Sequence, residues 1–465
     1  MNHDQLAEWQ KRAADWARDY HAGLRDRPVR PDITPGDFLA KIDAPVPEQP
    51  EPIEAIFDDF TRLVPDAMTH WQHPRFFAYF PANAAPASML AEQLANAMSA
   101  QAMLWQTAPA ANEMEELVIR WLRDAMGLPD DLTGTIHDTA TTATFCAVTT
   151  MRELALGHEG ITKGLSGTPT LRIYASAQTH SSIDKAVRLS GIGQDNLVKV
   201  PTIPDHPTWS MDADALDALI RADIAAGMKP AGVVLCVGGT SIGACDDIAA
   251  CIDVAHQHGL TVHVDAAWAG SAMICDEFRT LWAGIEAADS IVFNPHKWLG
   301  AQFDCAVQFL RDPAPQIGAM GLRPDYLKTQ GADDVVNYNE WTLPLGRRFR
   351  ALKLWFLLRS EGLTGLRARI RNHVAWANEA ADAIAALPGF QITTPPMLAL
   401  FTFRFQDDAR TATLLDRVNR DGRIYLTQTD HAGQFIIRVS VGQFSCTRED
   451  VMMIPQVLQE LAQDT

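Results

Sequence analysis

Two short apolar runs near the middle of the chain each stop abruptly in polar residues. The first ends in His263-Val264-Asp265-Ala266-Ala267, and the second, Ser290 to Phe293, ends in Asn294-Pro295-His296-Lys297-Trp298. Runs this short, rich in Val, Ile and Phe and parted by a stretch of helical character, predict parallel strands of an α/β sheet. Ligands of such sheets sit at the carboxyl ends of the strands, so Asp265 and Lys297 are expected at one rim. Leu171 to Ser176 and Gly232 to Val237 read as further strands. Ile136-His137 leads into a hydroxyl-rich helix start, Thr139-Ala140-Thr141, with the helix running to about Leu156, and Gln178 to Ser182 turns into a helix through Leu189.

Before this region the pattern is helical. Leu6, Trp9, Ala13, Trp16 and Tyr20 draw one apolar stripe at spacings of three and four. The tract from Arg27 to Pro52 carries too many prolines for a helix and too few apolar residues for a core, so the stripe is expected to pack on another part of the fold. A second helix, Ile53 to Met68, leads into an aromatic cluster from Trp71 to Pro81, and Leu117 to Met126 reads as a helix stopped by Gly127. Residues 311–328 show no steady period and are rich in Pro and Gly, which reads as a long loop. A helix opens near Leu345. Beyond Glu361 come a helix (Leu363 to Ala386), strands (Phe390 to Thr393, Leu398 to Phe405), a helix (Thr411 to Asp421), strands (Arg423 to Leu426, Gln434 to Val441) and a last helix from Glu449. The pattern predicts an α/β chain with a helical N-terminal arm (1–85), a large mostly parallel-sheet domain (86–360) and a smaller C-terminal α+β domain (361–465).

Composition changes the picture mainly by exclusion. With 465 residues and 47% hydrophobic content the chain can fill a sizeable core. A formal net charge of −18 argues against nucleic acid and anionic membrane as partners. Seven scattered cysteines without CxxC pairs fit reduced core residues and a cytoplasmic protein. The first residues have no apolar core of a signal peptide, and no run is long enough to span a membrane. His256, His258 and His263 have no third ligand cluster at zinc spacing, so no metal is expected. The basic run Arg347 to Lys353 is expected to pair with carboxylates of an acidic chain.

A buried carboxylate and a lysine at one rim suit pyridoxal 5′-phosphate. That cofactor needs an amine for its aldehyde, here Lys297 forming the Schiff base, and an acid for its ring nitrogen, here Asp265. The same pair also fits a structural ion pair. Hydroxyls at a helix start suit a phosphate but are more often ordinary capping. A lone histidine such as His180 is usually structural, and an aromatic cluster is usually core or interface.

The stretches HVDAA-W-AGSA, NPHKW and FDC, together with AQTHSS, resemble the group II pyridoxal-phosphate-dependent amino acid decarboxylases, in particular the aromatic-L-amino-acid decarboxylases, and the likeness extends through most of the chain. The resemblance implies the PLP-dependent transferase fold type I, a homodimer with the N-terminal helix on the second subunit, and α-decarboxylation of an aromatic L-amino acid to the amine and CO2. It implies that Thr139, Ala140, Thr141, Thr240, Ala267, Asn294 and His296 accompany Asp265 and Lys297 around the cofactor, that His180 stacks on its ring, and that Tyr326 protonates the carbanion left by CO2. It lines the substrate pocket with Trp71, Tyr79, Phe80, Pro81, Ala82, Met103, Phe303 and Gly346. Ala82 stands where a hydroxyl residue is common in the family and Met103 where an aromatic one is, which tilts the pocket towards a less hydroxylated ring. A decarboxylase of histidine or an acidic amino acid, and a decarboxylation-dependent aldehyde synthase, remain alternatives. A cofactor-binding protein that had lost catalysis would be expected to lack Lys297 or Asp265, and both are present.

Overall fold

The computed structural model describes residues 1–322 and 335–463. They form two compact units. One comprises Met1–Pro81, Trp376–Pro395 and Thr402–Thr465; the other comprises Ala82–Ala375 and Pro396–Phe401.

The larger unit is built on a seven-stranded sheet. Its strands are β1 (Thr133–His137), β2 (Leu171–Ser176), β3 (Leu197–Val200), β4 (Lys229–Cys236), β5 (Thr261–Asp265), β6 (Ser290–Phe293) and β7 (Ala306–Leu310), in the order β1-β7-β6-β5-β4-β2-β3. The contacts β3-β2-β4-β5-β6 are parallel, and β7 runs antiparallel to both of its neighbours. Every residue of β6 and β7 is buried. That is why their sequences read as unbroken apolar runs rather than alternating ones: helices cover both faces of such a sheet. The helix Ala140–Leu156 starts at the carboxyl side of β1, buries Ala143, Cys146, Ala147, Val148 and Met151, and stops at Gly157, whose φ of 63° closes it in the left-handed region.

The smaller unit carries β8 (Phe390–Met397), β9 (Leu400–Phe405), β10 (Thr427–His431) and β11 (Gln434–Ser440), ordered β10-β11-β9-β8. The N-terminal stretch is woven into it. Phe77 donates its N–H to the Tyr425 carbonyl and accepts from Ser440 (3.0 and 2.9 Å), Val29 donates to Gly422, and Asp450 takes ion pairs from both Arg25 (2.8 Å) and Arg75 (3.1 Å).

Three expectations are corrected here. The first concerns the aromatic stripe of the helix His3–Ala22, which does find a local partner. Trp9 meets Phe57 at 5.3 Å and Trp16 meets Phe60 at 5.0 Å, because the proline tract returns the chain so that Ile53–Leu63 lies against the first helix. The second lies within 311–328, where Ala314–Met320 is a helix that buries Gln316 and packs Ile317 against Leu310, Tyr338 and Trp341; proline at its start ends a loop rather than prolonging one. The third is the strand expected at Arg423 to Leu426, which lies at Thr427–His431 instead. Its polar residues suit an edge strand, and the two-residue turn Ala432-Gly433, with both φ positive (51° and 74°), sets its register with β11. The two helices expected near Leu345 and from Leu363 are both found within Arg350–Ala385, parted at Gly362, whose φ of 63° is not helical.

Candidate active site

Parallel pairing brings the chemistry-bearing ends together. Asp265, the last residue of β5, pairs in register with Val292 of β6 on one side and Cys236 of β4 on the other. Immediately after β6 the chain turns: Asn294 donates its N–H to the Ala267 carbonyl (2.8 Å) and Lys297 donates its own to the Asn294 carbonyl (2.9 Å). Trp298 locks the turn from behind. It stacks on Trp268 at 5.1 Å and donates Nε1–H to His373 Nδ1 at 2.9 Å.

Asp265 is buried, with Oδ1 accepting the Ala267 N–H at 2.9 Å. Among the described residues its Oδ2 takes no hydrogen bond. His180 feels both charges. Although the residue as a whole is exposed, desolvation of its ring lowers the imidazole pKa, Asp265 opposes that shift and Lys297 adds to it. Asp265, Lys297 and His180 therefore share one electrostatic neighbourhood. His180 Nδ1 accepts the Ser182 N–H at 3.1 Å, which leaves the ring hydrogen on Nε2. His296 is held neutral more firmly: burial first, then Lys297, push its pKa down to about 3. Its Nδ1 accepts the Cys305 N–H at 2.9 Å, and Phe303 meets it edge-on at 4.8 Å.

The helix start expected to hold a phosphate closes the same rim. Ala140 and Ala143 pack with Val292 and Ala267, so small side chains form a flat apolar floor between the helix and the ends of β5 and β6. No side chain caps this helix, and Thr139 uses its own N–H on Asp138. The buried amide oxygen of Asn294 and the buried hydroxyl of Ser182 have no hydrogen-bond partner among the described residues. Such groups cost about 1–3 kcal/mol each when left unpaired, a cost that a bound polar molecule would relieve. An uncapped helix start for a phosphate, a flat floor, a carboxylate with one oxygen unused and a lysine on a fixed turn fit pyridoxal 5′-phosphate. Half-buried Thr240 follows Gly238-Gly239, which approach Trp268, Ala269 and the Gln178 carbonyl too closely for side chains; no hydrogen bond joins its hydroxyl to Asp265 or Lys297.

The proposed pocket residues divide. Met103 and Gly346 are brought together by Arg347, whose carbonyl accepts the Ala102 N–H (2.9 Å) and whose own N–H donates to Gln101 Oε1 (2.8 Å). Arg347 is itself buried against Glu115 (2.6 Å) and the Ile136 carbonyl (2.9 Å). The rest of the basic run pairs with carboxylates as expected: Arg348 and Lys353 with Glu92, and Arg350 with Asp304. Ala82 and Phe303 belong to the same unit as Lys297, whereas Trp71, Tyr79, Phe80 and Pro81 belong to the other. There Trp71 stacks on Tyr79 at 5.9 Å and Arg438 lies over Phe80 at 4.8 Å. Tyr326 lies outside the described residues.

Two of the histidines weighed for a metal take structural partners. His263 bonds Ser290 Oγ (2.9 Å), His258 bonds Asp217 (2.7 Å), and among the described residues no His, Cys, Asp and Glu cluster could hold a metal. All seven cysteines are free and buried, and no described helix is long and apolar enough to cross a membrane. Sequence reasoning missed Asn83. Its side chain donates Nδ2–H to the Lys297 carbonyl at 2.7 Å, and its only mark in the sequence is that it is the one strongly polar residue between Phe80 and Pro86.

Comparison with known proteins agrees with this chemistry. Residues 35–406 match the model of the pyridoxal-dependent decarboxylase conserved domain. The chain is 36% identical to the aromatic-L-amino-acid decarboxylase of Sus scrofa, over 97% of this chain and 93% of that protein. It is 34% identical to the phenylacetaldehyde synthase of Arabidopsis thaliana, over 99% and 96% respectively. The crystal structure of Catharanthus roseus tryptophan decarboxylase in complex with L-tryptophan superposes with a TM-score of 0.94 at 32% identity, covering 100% of this chain and 99% of that one.

Proposed function

Since the chain belongs to the pyridoxal-dependent decarboxylase family, we propose that it removes the α-carboxylate of an aromatic L-amino acid, releasing CO2 and the amine, with Asp265, Lys297 and His180 at the centre of its site. The observation that carries this assignment of residues is that Asp265 ends β5 in register with Val292 of β6, directly before the turn that bears Lys297 and is tied to Ala267 by Asn294. Pyridoxal 5′-phosphate, when bound, supplies an aldehyde for the substrate amine and a cationic ring that draws electrons from Cα. The chain's own residues do the rest. Lys297 would offer Nζ to the aldehyde, Asp265 would hold a proton on the ring nitrogen through its Oδ2, and the first turn of Ala140–Leu156 with Thr139 and Thr141 would hold the phosphate. His180 would cover one face of the ring. His296, neutral and fixed by Cys305, flanks Lys297 without adding a second cation beside the amine.

Proton delivery to Cα decides the product. Tyr326 is our proposed donor, and an aldehyde synthase among the relatives gives the second reading its specific support. The test is turnover of purified protein with pyridoxal 5′-phosphate on a panel of L-amino acids that includes histidine and glutamate, assaying CO2, amine and aldehyde. Equal amounts of CO2 and amine from an aromatic substrate are expected. Aldehyde, ammonia and peroxide in place of amine would move the chain to the second reading, and turnover of histidine or glutamate alone would remove the aromatic assignment. Tyr326→Phe is expected to retain cofactor while diverting product towards aldehyde.

We also infer a homodimer. Leu90, Leu94 and Met98 on or beside the helix Pro86–Ala97, and separately Ile56 and Phe60 on the helix Ile53–Leu63 of the other unit, are large apolar side chains left exposed by a single chain, which supports a partner covering them. Sedimentation of the holoenzyme checks it, and a monomer would remove it. A cytoplasmic location is our reading of the seven buried free thiols, to be checked by fractionating the cells that make the protein.

A further inference from the structure

Lys297 lies on a turn whose two neighbouring peptides are taken up from one other segment. Asn83, fully buried, donates its side-chain Nδ2–H to the Lys297 carbonyl at 2.7 Å and its backbone N–H to the His296 carbonyl at 2.9 Å. Two residues on, Ala85 donates to the Gly300 carbonyl at 2.9 Å, and Ser88 Oγ accepts the Gln302 N–H at 2.8 Å. Residues 83–88 thus run beside 296–302 as a zip, and within it the Asn83 side chain is bonded to the lysine's own peptide. On the opposite side the Lys297 N–H is fixed by Asn294.

We infer that Asn83 is a positioning residue for Lys297, setting where the amine stands relative to Asp265 by holding the lysine's carbonyl. The inference rests on the proposed role of Lys297. A short hydrogen bond from a fully buried amide is costly to lose, so removing the donor lets the turn seek another partner and moves the Cα that carries the amine. Ala82, directly before Asn83, is a proposed pocket residue, so the same segment links the substrate side to the cofactor side.

The holoenzyme tests this with Asn83→Ala, Asn83→Ser and Asn83→Asp. The readouts are the pH midpoint of the visible cofactor band, the rate of cofactor loss on dialysis, kcat against KM, and the melting temperature of the protein without cofactor. For Asn83→Ala the expected result is a midpoint displaced by about half a pH unit or more, cofactor lost about tenfold faster, and kcat down about tenfold with KM changed less than threefold. Asn83→Ser, which restores a short donor, is expected to recover part of each change. Asn83→Asp, of nearly the same volume but with no donor when ionised, is expected to resemble Asn83→Ala. A lowered melting temperature with midpoint, retention and kcat all at wild-type values would overturn the inference and make Asn83 a packing residue. Should Asn83→Ala fail to fold, wild-type midpoint and kcat in Asn83→Asp would overturn it equally. A cofactor band that survives Lys297→Ala would instead sink the reading of Lys297 itself, whereas a band lost in Lys297→Ala beside silent Asn83 variants sinks this inference alone.

Discussion

Two lysines of the larger unit, Lys297 and Lys353, show why a perturbed group is not by itself a functional one. Lys353 is 1% exposed, and burial pushes its pKa down to about 8, which would nominate it as a reactive amine on electrostatic grounds. Its ammonium is held, however, by Glu92 at 3.0 Å and the Gln302 carbonyl at 3.2 Å. Lys297 is only half-buried. It stands instead on a turn fixed by Asn294 and Asn83, in the field of His180, on a rim where an Asn294 oxygen and a Ser182 hydroxyl have no hydrogen-bond partner among the described residues and a helix start is uncapped. What separates the two is where they stand: Lys353 is tied into an ion pair with Glu92, whereas Lys297 follows the end of β6, beside the strand end that carries Asp265.

The sharpest way to break this contrast is to remove each amine. Lys297→Ala is expected to abolish the visible cofactor band and lower turnover by about a thousandfold or more. Lys353→Met is expected to keep the band, hold turnover within about threefold and lower the melting temperature, because it leaves Glu92 with Arg348 alone. Absorbance spectra and rates of the two variants decide it, and loss of the band in Lys353→Met with retention in Lys297→Ala would reverse the assignment. Next in size is Asp265→Asn, which keeps shape but removes the charge proposed to hold the ring proton. Cofactor is expected to bind, with kcat down by about a hundredfold or more.

Histidines divide along the same line and set a pH dependence of stability. His137, His263, His296 and His373 are buried, and burial lowers their pKa values to about 4, 4, 3 and 3. Unfolded, each titrates near 6.5, so below that pH the unfolded chain binds protons that the folded chain refuses. Their contribution is complete above about pH 6.5 and is lost as pH falls towards the folded values, at up to about 1.4 kcal/mol per pH unit for each group. Urea unfolding at pH 7, 6 and 5 is expected to show a steep fall, and His263→Asn a shallower one. His180, exposed and also lowered by desolvation of its ring, contributes with the same sign, and its replacement by Gln is expected to change the slope less than that of a fully buried histidine. A steep slope that disappeared only in the His180 variant would contradict this division.

The rim was legible before any coordinates because strand ends announce themselves: an apolar run that stops in Asp265-Ala266-Ala267 or Asn294-Pro295-His296-Lys297 has one geometric meaning in a parallel sheet. The basic run at 347–353 was legible too, since an acidic chain has carboxylates to spare. Asn83 was not. Its partner is 214 residues away, and nothing local distinguishes a buried donor from a solvated turn residue. The helix Ala314–Met320 was hidden by the prolines at 313 and 315, which punctuate a loop and start a helix equally well. Thr427–His431 was hidden by being an edge strand, where polar side chains erase the apolar alternation that marks a strand. The stripe of the first helix was read correctly, but its neighbour was not, because a proline tract conceals how sharply the chain returns.

The smallest expected effect concerns substrate choice and sits one residue from Asn83. Ala82 offers no hydroxyl where the resembled enzymes often carry one, and Met103 supplies a flexible thioether in place of a flat ring, so neither residue discriminates a phenol from an unsubstituted ring by a hydrogen bond. Ala82→Thr adds such a group without disturbing Asn83, whose backbone and side-chain bonds go to His296 and Lys297. The ratio of kcat/KM for a hydroxylated substrate to that for its unhydroxylated parent is expected to rise about three- to tenfold, the effect of one modest hydrogen bond. The cofactor band should stay in place, because the lysine's anchor is untouched. An unchanged ratio with an unchanged band would mean that Ala82 does not face the ring, and would leave Met103 and Gly346, held together by Arg347, as the pair that sets the preference.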